Sequence, residues 1–207
     1  MTLAPWPHFD AEQIDAASRV LAFGKVNAWT CPDTRSFEQE FATWCGTAHA
    51  IAMANGSLAL SAAYLAIGLG AGDELITTPR TFIATASSAV LLGAKPVFAD
   101  VDAESGAITA ATIAPLITPR AKASSVVHLG GWPADMPAIL ELARAHGIAV
   151  IEDCAQAHGA RIHGQSVGSF GDVAAWSFCQ EKIISTGGEG GMVTTNSADL
   201  WDLMWAF

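Results

Sequence analysis

Reactive side chains in this chain gather just behind short apolar runs. Asn55-Gly56-Ser57 follows the run His49 to Met53 and opens a helical stretch. It therefore offers backbone N–H groups, a positive dipole end and a hydroxyl to an anion such as a phosphate. The same residues also fit an ordinary serine cap behind a flexible glycine. Thr78-Pro79-Arg80-Thr81-Phe82 follows the next run and sets an aromatic ring where it either stacks on a planar ligand or fills the core. Glu152-Asp153-Cys154-Ala155-Gln156 ends a third run with carboxylates, which need a partner when buried and otherwise cap a neighbouring loop. Ser177-Phe178-Cys179-Gln180-Glu181-Lys182 ends a fourth with one of the four lysines of the chain. An amine there is either a solvated charge or, among apolar sequence and glycine-rich turns, one whose pKa falls toward nucleophilic use.

These groups meet only if the runs that carry them are neighbours in a sheet. Seven strands are predicted, near His49 to Met53, Glu74 to Thr78, Pro96 to Val101, Ser125 to Leu129, Ile148 to Cys154, Val173 to Cys179 and Gly191 to Thr195. The first five begin roughly every 25 residues, the spacing of a strand plus a crossover helix, so parallel pairing follows. Helices are expected at Ser57 to Leu69, Thr81 to Leu92 and Asp135 to His146, with Gly70, Gly93 and Gly147 as left-handed exits. Only a short glycine-rich turn separates Cys179 from Gly191, so the last strand is expected to return antiparallel. The stretch from Cys154 to Asp172 has no helical period and is a site candidate, since long irregular loops in compact domains are usually functional. In open parallel sheets, ligands bind beyond the carboxyl ends of the strands, where all four reactive stretches lie.

Residues 1–48, with weak helical patterns at Asp10 to Phe23 and Ser36 to Trp44, read as a helical lead-in to a domain over 49–207. With 51% hydrophobic and 14% charged residues, the 207-residue chain reads as a packed α/β globule. Ten Lys+Arg against twenty Asp+Glu give a net charge of -10, the wrong sign for a nucleic-acid binder. No apolar stretch is long enough for a membrane span, and the N-terminus has no signal-peptide pattern. Cys31, Cys45, Cys154 and Cys179 form no close framework, which suits a reducing, cytoplasmic setting. His128, His158 and His163 lack metal-ligand spacing, so no metal is expected. A dinucleotide-binding reading is weak because no GxGxxG follows the first strand.

Trp176-Ser177-Phe178, Lys182 and Gly187-Gly188-Glu189-Gly190-Gly191, with Glu152-Asp153-Cys154-Ala155-Gln156-Ala157-His158-Gly159, closely resemble blocks of the DegT/DnrJ/EryC1/StrS family of sugar aminotransferases. Val127-His128-Leu129, Pro133-Ala134-Asp135-Met136 and Pro79-Arg80-Thr81-Phe82-Ile83-Ala84-Thr85 look like further blocks in the same order. The resemblance runs from about residue 10 to the end. It implies the large domain of the aspartate-aminotransferase fold (pyridoxal-phosphate fold type I), with a seven-stranded, mostly parallel sheet and helices on both faces. It also implies the cofactor pyridoxal 5'-phosphate, and transfer of an amino group from glutamate to a nucleotide-linked keto sugar for surface polysaccharides or secondary metabolites.

By the same resemblance Lys182 is the Schiff-base lysine and proton shuttle, and Asp153 pairs with the pyridinium nitrogen. Gln156 meets the phenolic-oxygen side, Phe82 stacks on the ring, and Gly56, Ser57 and Ser177 hold the phosphate. Relatives that dehydrate sugars carry histidine at the lysine position, so Lys182 favours transamination. Gln180 and Ile183 stand where many members have a proline and an asparagine, which leaves the subgroup and its sugar open. Members are usually homodimers, and they continue into a smaller C-terminal domain that is not in this sequence. The alternative expectation is therefore a partial, cofactor-binding module that needs a partner chain for activity.

Overall fold

The computed structural model describes residues 6–206. Helix α1 (Ala11–Phe23) is closed by an Asp10–Gln13 capping box and buries none of its residues. Helix α2 (Pro32–Cys45) starts ahead of the predicted Ser36, because proline suits the first helical turn, and it buries Phe41, Ala42 and Cys45. Strand β1 (His49–Met53) leads into α3 (Gly56–Ala66), and β2 (Glu74–Thr77) leads into α4 (Ala84–Leu91). The last of these begins after the predicted Thr81, so Thr81, Phe82 and Ile83 form a turn ahead of the helix. Strand β3 (Lys95–Phe98) and the single turn α5 (Ala110–Ile113) follow.

Strand β4 (Ala121–Val127) begins before the predicted Ser125 and ends before Leu129. Its first half, Ala-Lys-Ala-Ser, carries too little apolar area to announce a strand, and pairing with β2 holds it in place. Helix α6 (Met136–His146) precedes β5 (Ala149–Asp153). Of the three predicted glycine exits, Gly93 (φ 84) and Gly147 (φ 66) are left-handed, but α3 stops early and Gly68 (φ 71) takes the place expected of Gly70.

The loop expected to lack structure contains a small hairpin, β6 (Arg161–Ile162) with β7 (Gln165–Ser166). Its two central residues, His163 (φ 50) and Gly164 (φ 86), both lie at positive φ, as a type I′ turn requires. Strands β8 (Val173–Ser177) and β9 (Gly191–Thr195) and helix α7 (Ala198–Trp205) complete the chain.

The main sheet has seven strands in the order β1-β9-β8-β5-β4-β2-β3. Strand β9 pairs antiparallel with both β1 and β8, and every other pairing is parallel, so β9 alone is reversed. Side chains alternate between two packed faces. On β8, Val173 and Ala175 join the core under α3, α4 and α7, while Ala174 and Trp176 join the core under α2. Helices therefore cover both faces, as the aspartate-aminotransferase fold demands. Among the described residues no helix is long and apolar enough to cross a membrane.

Candidate active site

Strands β1, β2, β4, β5 and β8 all point their carboxyl ends at one sheet edge, where reversed β9 begins. The turns leaving those ends enclose a cavity of about 390 Å³. Gly56, Ser57, Phe82, Asp153, Gln156, Ser177 and Lys182 all line it, brought together from four separate stretches of sequence.

One wall is built for an anion. Asn55, not Ser57, caps α3, since its side chain accepts from Leu58 N–H at 2.9 Å. That leaves the Gly56 and Ser57 N–H groups at the start of α3, and the Ser57 hydroxyl, without a partner inside the helix. A Cβ on Gly56 would lie 2.7 Å from Ser177 Cβ, and one on Gly191 would lie 2.5 Å from the Asn55 carbonyl. Only glycine lets these backbones close up, and the closure brings the Ser177 hydroxyl beside the helix start.

Asp153 ends β5 and is buried. Its Oδ2 accepts from Thr85 Oγ1 at 2.7 Å and its Oδ1 from Ala155 N–H at 3.1 Å. Burial pushes its carboxyl above the usual carboxylate range, and those hydrogen bonds and the Lys182 ammonium pull the other way. Lys182 is half-buried in the turn after β8, which is closed by its own N–H to the Cys179 carbonyl at 2.9 Å. Among the described residues neither Asp153 nor Lys182 forms a salt bridge. A buried carboxylate and an amine thus face one cavity without neutralising each other.

Gln156 accepts from Gly130 N–H through Oε1 at 2.8 Å, which fixes the amide and leaves its NH2 to donate. Phe82 is 65% exposed, so it is not the core residue that its type alone would suggest. The long loop after β5 divides in function. Ala155 and Gln156 line the cavity, whereas Gly168, Phe170 and Gly171 wrap the neighbouring carboxylate, Glu152, on the opposite face.

Glu152 is fully buried and accepts three backbone N–H bonds, each at 2.8 Å, from those three residues. Its Oε2 also lies 3.0 Å from His128 Nε2, while His128 Nδ1 accepts from Ala134 N–H at 3.1 Å. The ring therefore carries its proton on Nε2 and donates it to Glu152. His128, Glu152 and Cys154 stand close enough to bracket a metal ion. The lone pairs of His128 and Glu152 are already committed, however, and burial followed by the Glu152 charge pushes the Cys154 thiol far up, away from a ligating thiolate. His158 is buried against the rings of Trp176 and Phe178, with centroids at 5.4 Å and 5.6 Å. Burial, and then the Lys182 ammonium, pushes its pKa down to about 4.

Sequence reasoning did not single out Asn55 as the cap or Thr85 as the partner of Asp153. The signal for the first was its place immediately before the helix. Thr85 stands four residues after Thr81, but its partner is on a distant strand and left no local trace.

The sequence model of the DegT/DnrJ/EryC1/StrS aminotransferase family matches residues 7–207. A UDP-N-acetyl-3-dehydro-α-D-glucosamine 3-aminotransferase from Acidithiobacillus ferrooxidans is 52% identical over 166 residues, covering 80% of this chain and 45% of the relative. A GDP-perosamine synthase from Caulobacter vibrioides is 51% identical over 164 residues, covering 79% of this chain and 44% of its own length. The crystal structure of an aminotransferase from Psychrobacter cryohalolentis superposes with a TM-score of 0.98 at 56% identity, over 100% of this chain and 52% of that one. The chain spans about half the length of the relatives it matches.

Proposed function

Because the chain belongs to the DegT/DnrJ/EryC1/StrS aminotransferase family, we propose that it forms the cofactor-binding part of a pyridoxal-phosphate-dependent aminotransferase. The reaction is transfer of an amino group from glutamate to a keto group on a nucleotide-linked sugar. The observation that carries this reading is the pairing, in one cavity and beside an anion seat, of Lys182 with a buried Asp153, neither of them in a salt bridge among the described residues.

These residues fit the cofactor. A protonated ring nitrogen gives the Asp153 carboxylate the cation that its burial calls for. The start of α3 and the hydroxyls of Ser57 and Ser177 suit a phosphate, and the close approach at Gly56 shapes the seat. The Gln156 NH2 is left to donate toward the ring's phenolic oxygen, and Phe82 stands at the mouth to cover a ring face. When bound, pyridoxal phosphate supplies an aldehyde that exchanges amines and a ring that withdraws electrons.

The chain's own groups do the rest. Lys182 Nζ would anchor the cofactor, and as a free amine it would be the base that takes and returns a proton in the cavity. Asp153 would hold the ring nitrogen in its protonated form through a charge-assisted hydrogen bond. Gln156 and the anion seat fix orientation, so the amine always approaches the same side.

The relatives named for UDP-linked and GDP-linked sugars support a nucleotide-linked keto sugar as acceptor. Homodimerisation fits three exposed apolar residues, Phe82 at 65% in the cavity lining and Ile83 at 70% and Ile183 at 57% next in sequence to lining residues, which a second copy would cover. Nucleotide-sugar chemistry of this kind belongs in the cytoplasm.

Absorbance tests the reading. Wild-type protein with pyridoxal phosphate develops the band of a lysine-linked cofactor, and Lys182→Ala does not. Identical spectra from both would overturn the role of Lys182.

A further inference from the structure

Asp153 is held by a hydroxyl outside the set of cofactor residues. Thr85, in the first turn of α4, is fully buried, and its Oγ1 lies 2.7 Å from Asp153 Oδ2. An ionised carboxylate only accepts, and at 2.7 Å it is a nearer and stronger acceptor than the Phe82 carbonyl at 3.2 Å, so the single Thr85 proton goes to Asp153. Thr81 Oγ1, 2.8 Å from Thr85 Oγ1, must then donate to it. A one-way relay runs from Thr81 through Thr85 to Asp153.

The backbone of Thr85 is pinned independently. Tyr64 OH donates to the Thr85 carbonyl at 2.9 Å and lies 3.0 Å from Ser125 Oγ, whose own proton completes that pair. Tyr64, Ser125 and Thr85 are all fully buried. Helix α3 thus sets the height of α4, and α4 delivers a hydroxyl to the end of β5.

We propose that Thr85 is a positioning residue for the cofactor, fixing the orientation of the Asp153 carboxylate and keeping it ionised in a buried cavity before any cation arrives. The proposal rests on the reading of Asp153 as the partner of the ring nitrogen. A neutral Asp153 would offer a proton where an acceptor is needed, and a rotated one would miss the ring. Around Asp153 the titratable groups are Lys182 across the cavity, His128 behind β4, Tyr64 from α3, and Glu152 and Cys154 on either side in sequence. Among the described residues, α4 and the turn before it offer Asp153 the Thr85 hydroxyl and, behind it, the Thr81 hydroxyl, so removing them changes hydrogen bonding without changing charge.

The test is a ¹³C NMR titration of the Asp153 carboxyl in the full chain without cofactor, paired with the dissociation constant for pyridoxal phosphate. Thr85→Val keeps the shape and deletes the donor. It should raise the titration midpoint by about one pH unit and weaken cofactor binding about tenfold, while Thr85→Ser restores both. Thr81→Val, which removes the donor behind Thr85, should shift the midpoint the same way by less, and it carries the test if Thr85→Val melts early. An unchanged midpoint in both valine variants, or a serine variant shifted as far as Thr85→Val, overturns the proposal. If wild type takes up no pyridoxal phosphate, the cofactor reading fails, and the titration still decides whether Thr85 holds Asp153.

Discussion

Glu152 and Asp153 are consecutive residues of one strand, both buried, both carboxylates, and they do opposite work. The pleat turns them to opposite faces of the sheet. Glu152 meets three backbone N–H groups and the His128 ring, so its charge is spent within the fold, tying the glycine-rich loop down over the sheet. Asp153 meets one hydroxyl and one N–H, and its remaining capacity faces a cavity. Burial is therefore not what separates a structural carboxylate from a functional one. The difference lies in how completely the fold satisfies the charge: Glu152 is saturated by the fold, and Asp153 keeps capacity facing the cavity, as its proposed pairing with a cation requires.

The sharpest way to break this comparison is to remove each carboxylate in turn. Glu152→Ala should cost about 3–5 kcal/mol of unfolding free energy, because it strands three buried N–H donors and His128. Urea unfolding measures it, and a loss below about 1 kcal/mol would deny Glu152 its structural role. Asp153→Asn should leave stability within about 1 kcal/mol of wild type, since it removes a desolvated charge and keeps the shape. Cofactor affinity should nevertheless fall roughly 10- to 100-fold, the worth of one charge-assisted hydrogen bond, read by titrating absorbance.

His158 extends the contrast on the Glu152 face. Its folded pKa of about 4 lies below the unfolded value of about 6.5, so the unfolded chain binds the extra proton. The neutral ring's contribution is complete above about pH 6.5, and it is lost as pH falls toward about 4. Over that window wild type should lose about 2–3 kcal/mol more than His158→Phe, and parallel stability curves would contradict it. Asp153 has the opposite sign, because its folded pKa is raised. Its ionisation costs stability that returns as pH falls through the folded value, and Asp153→Asn removes that slope.

The smallest effect belongs to the cavity face. Gly56→Ala places a methyl 2.7 Å from Ser177 Cβ, so the seat must open. Cofactor affinity should drop about tenfold at a stability cost of about 1–2 kcal/mol. Calorimetric titration with pyridoxal phosphate separates the two.

Much of this was legible in the chain itself. The strand positions, the reversal of β9 and the gathering of seven residues at one edge followed from apolar runs, spacing and turn chemistry, together with a family resemblance. What stayed hidden depended on contacts far apart in sequence. Alternation says that Glu152 and Asp153 face opposite ways but not which one faces the ligand, because Thr85 and Gly168 decide that and neither is local. The early start of β4 was invisible because Ala121 to Ser124 are small or polar and are held by their neighbours. The hairpin at His163-Gly164 was missed because histidine is a less familiar occupant of a left-handed turn than asparagine.

On the function proposed above, Lys182 is the amine that anchors the cofactor. Borohydride reduction of the protein loaded with pyridoxal phosphate, followed by peptide mapping, tests it most directly. One pyridoxyl adduct is expected, on the peptide bearing Lys182. Labelling confined to Lys25, Lys95 or Lys122, or no adduct at all, would contradict it.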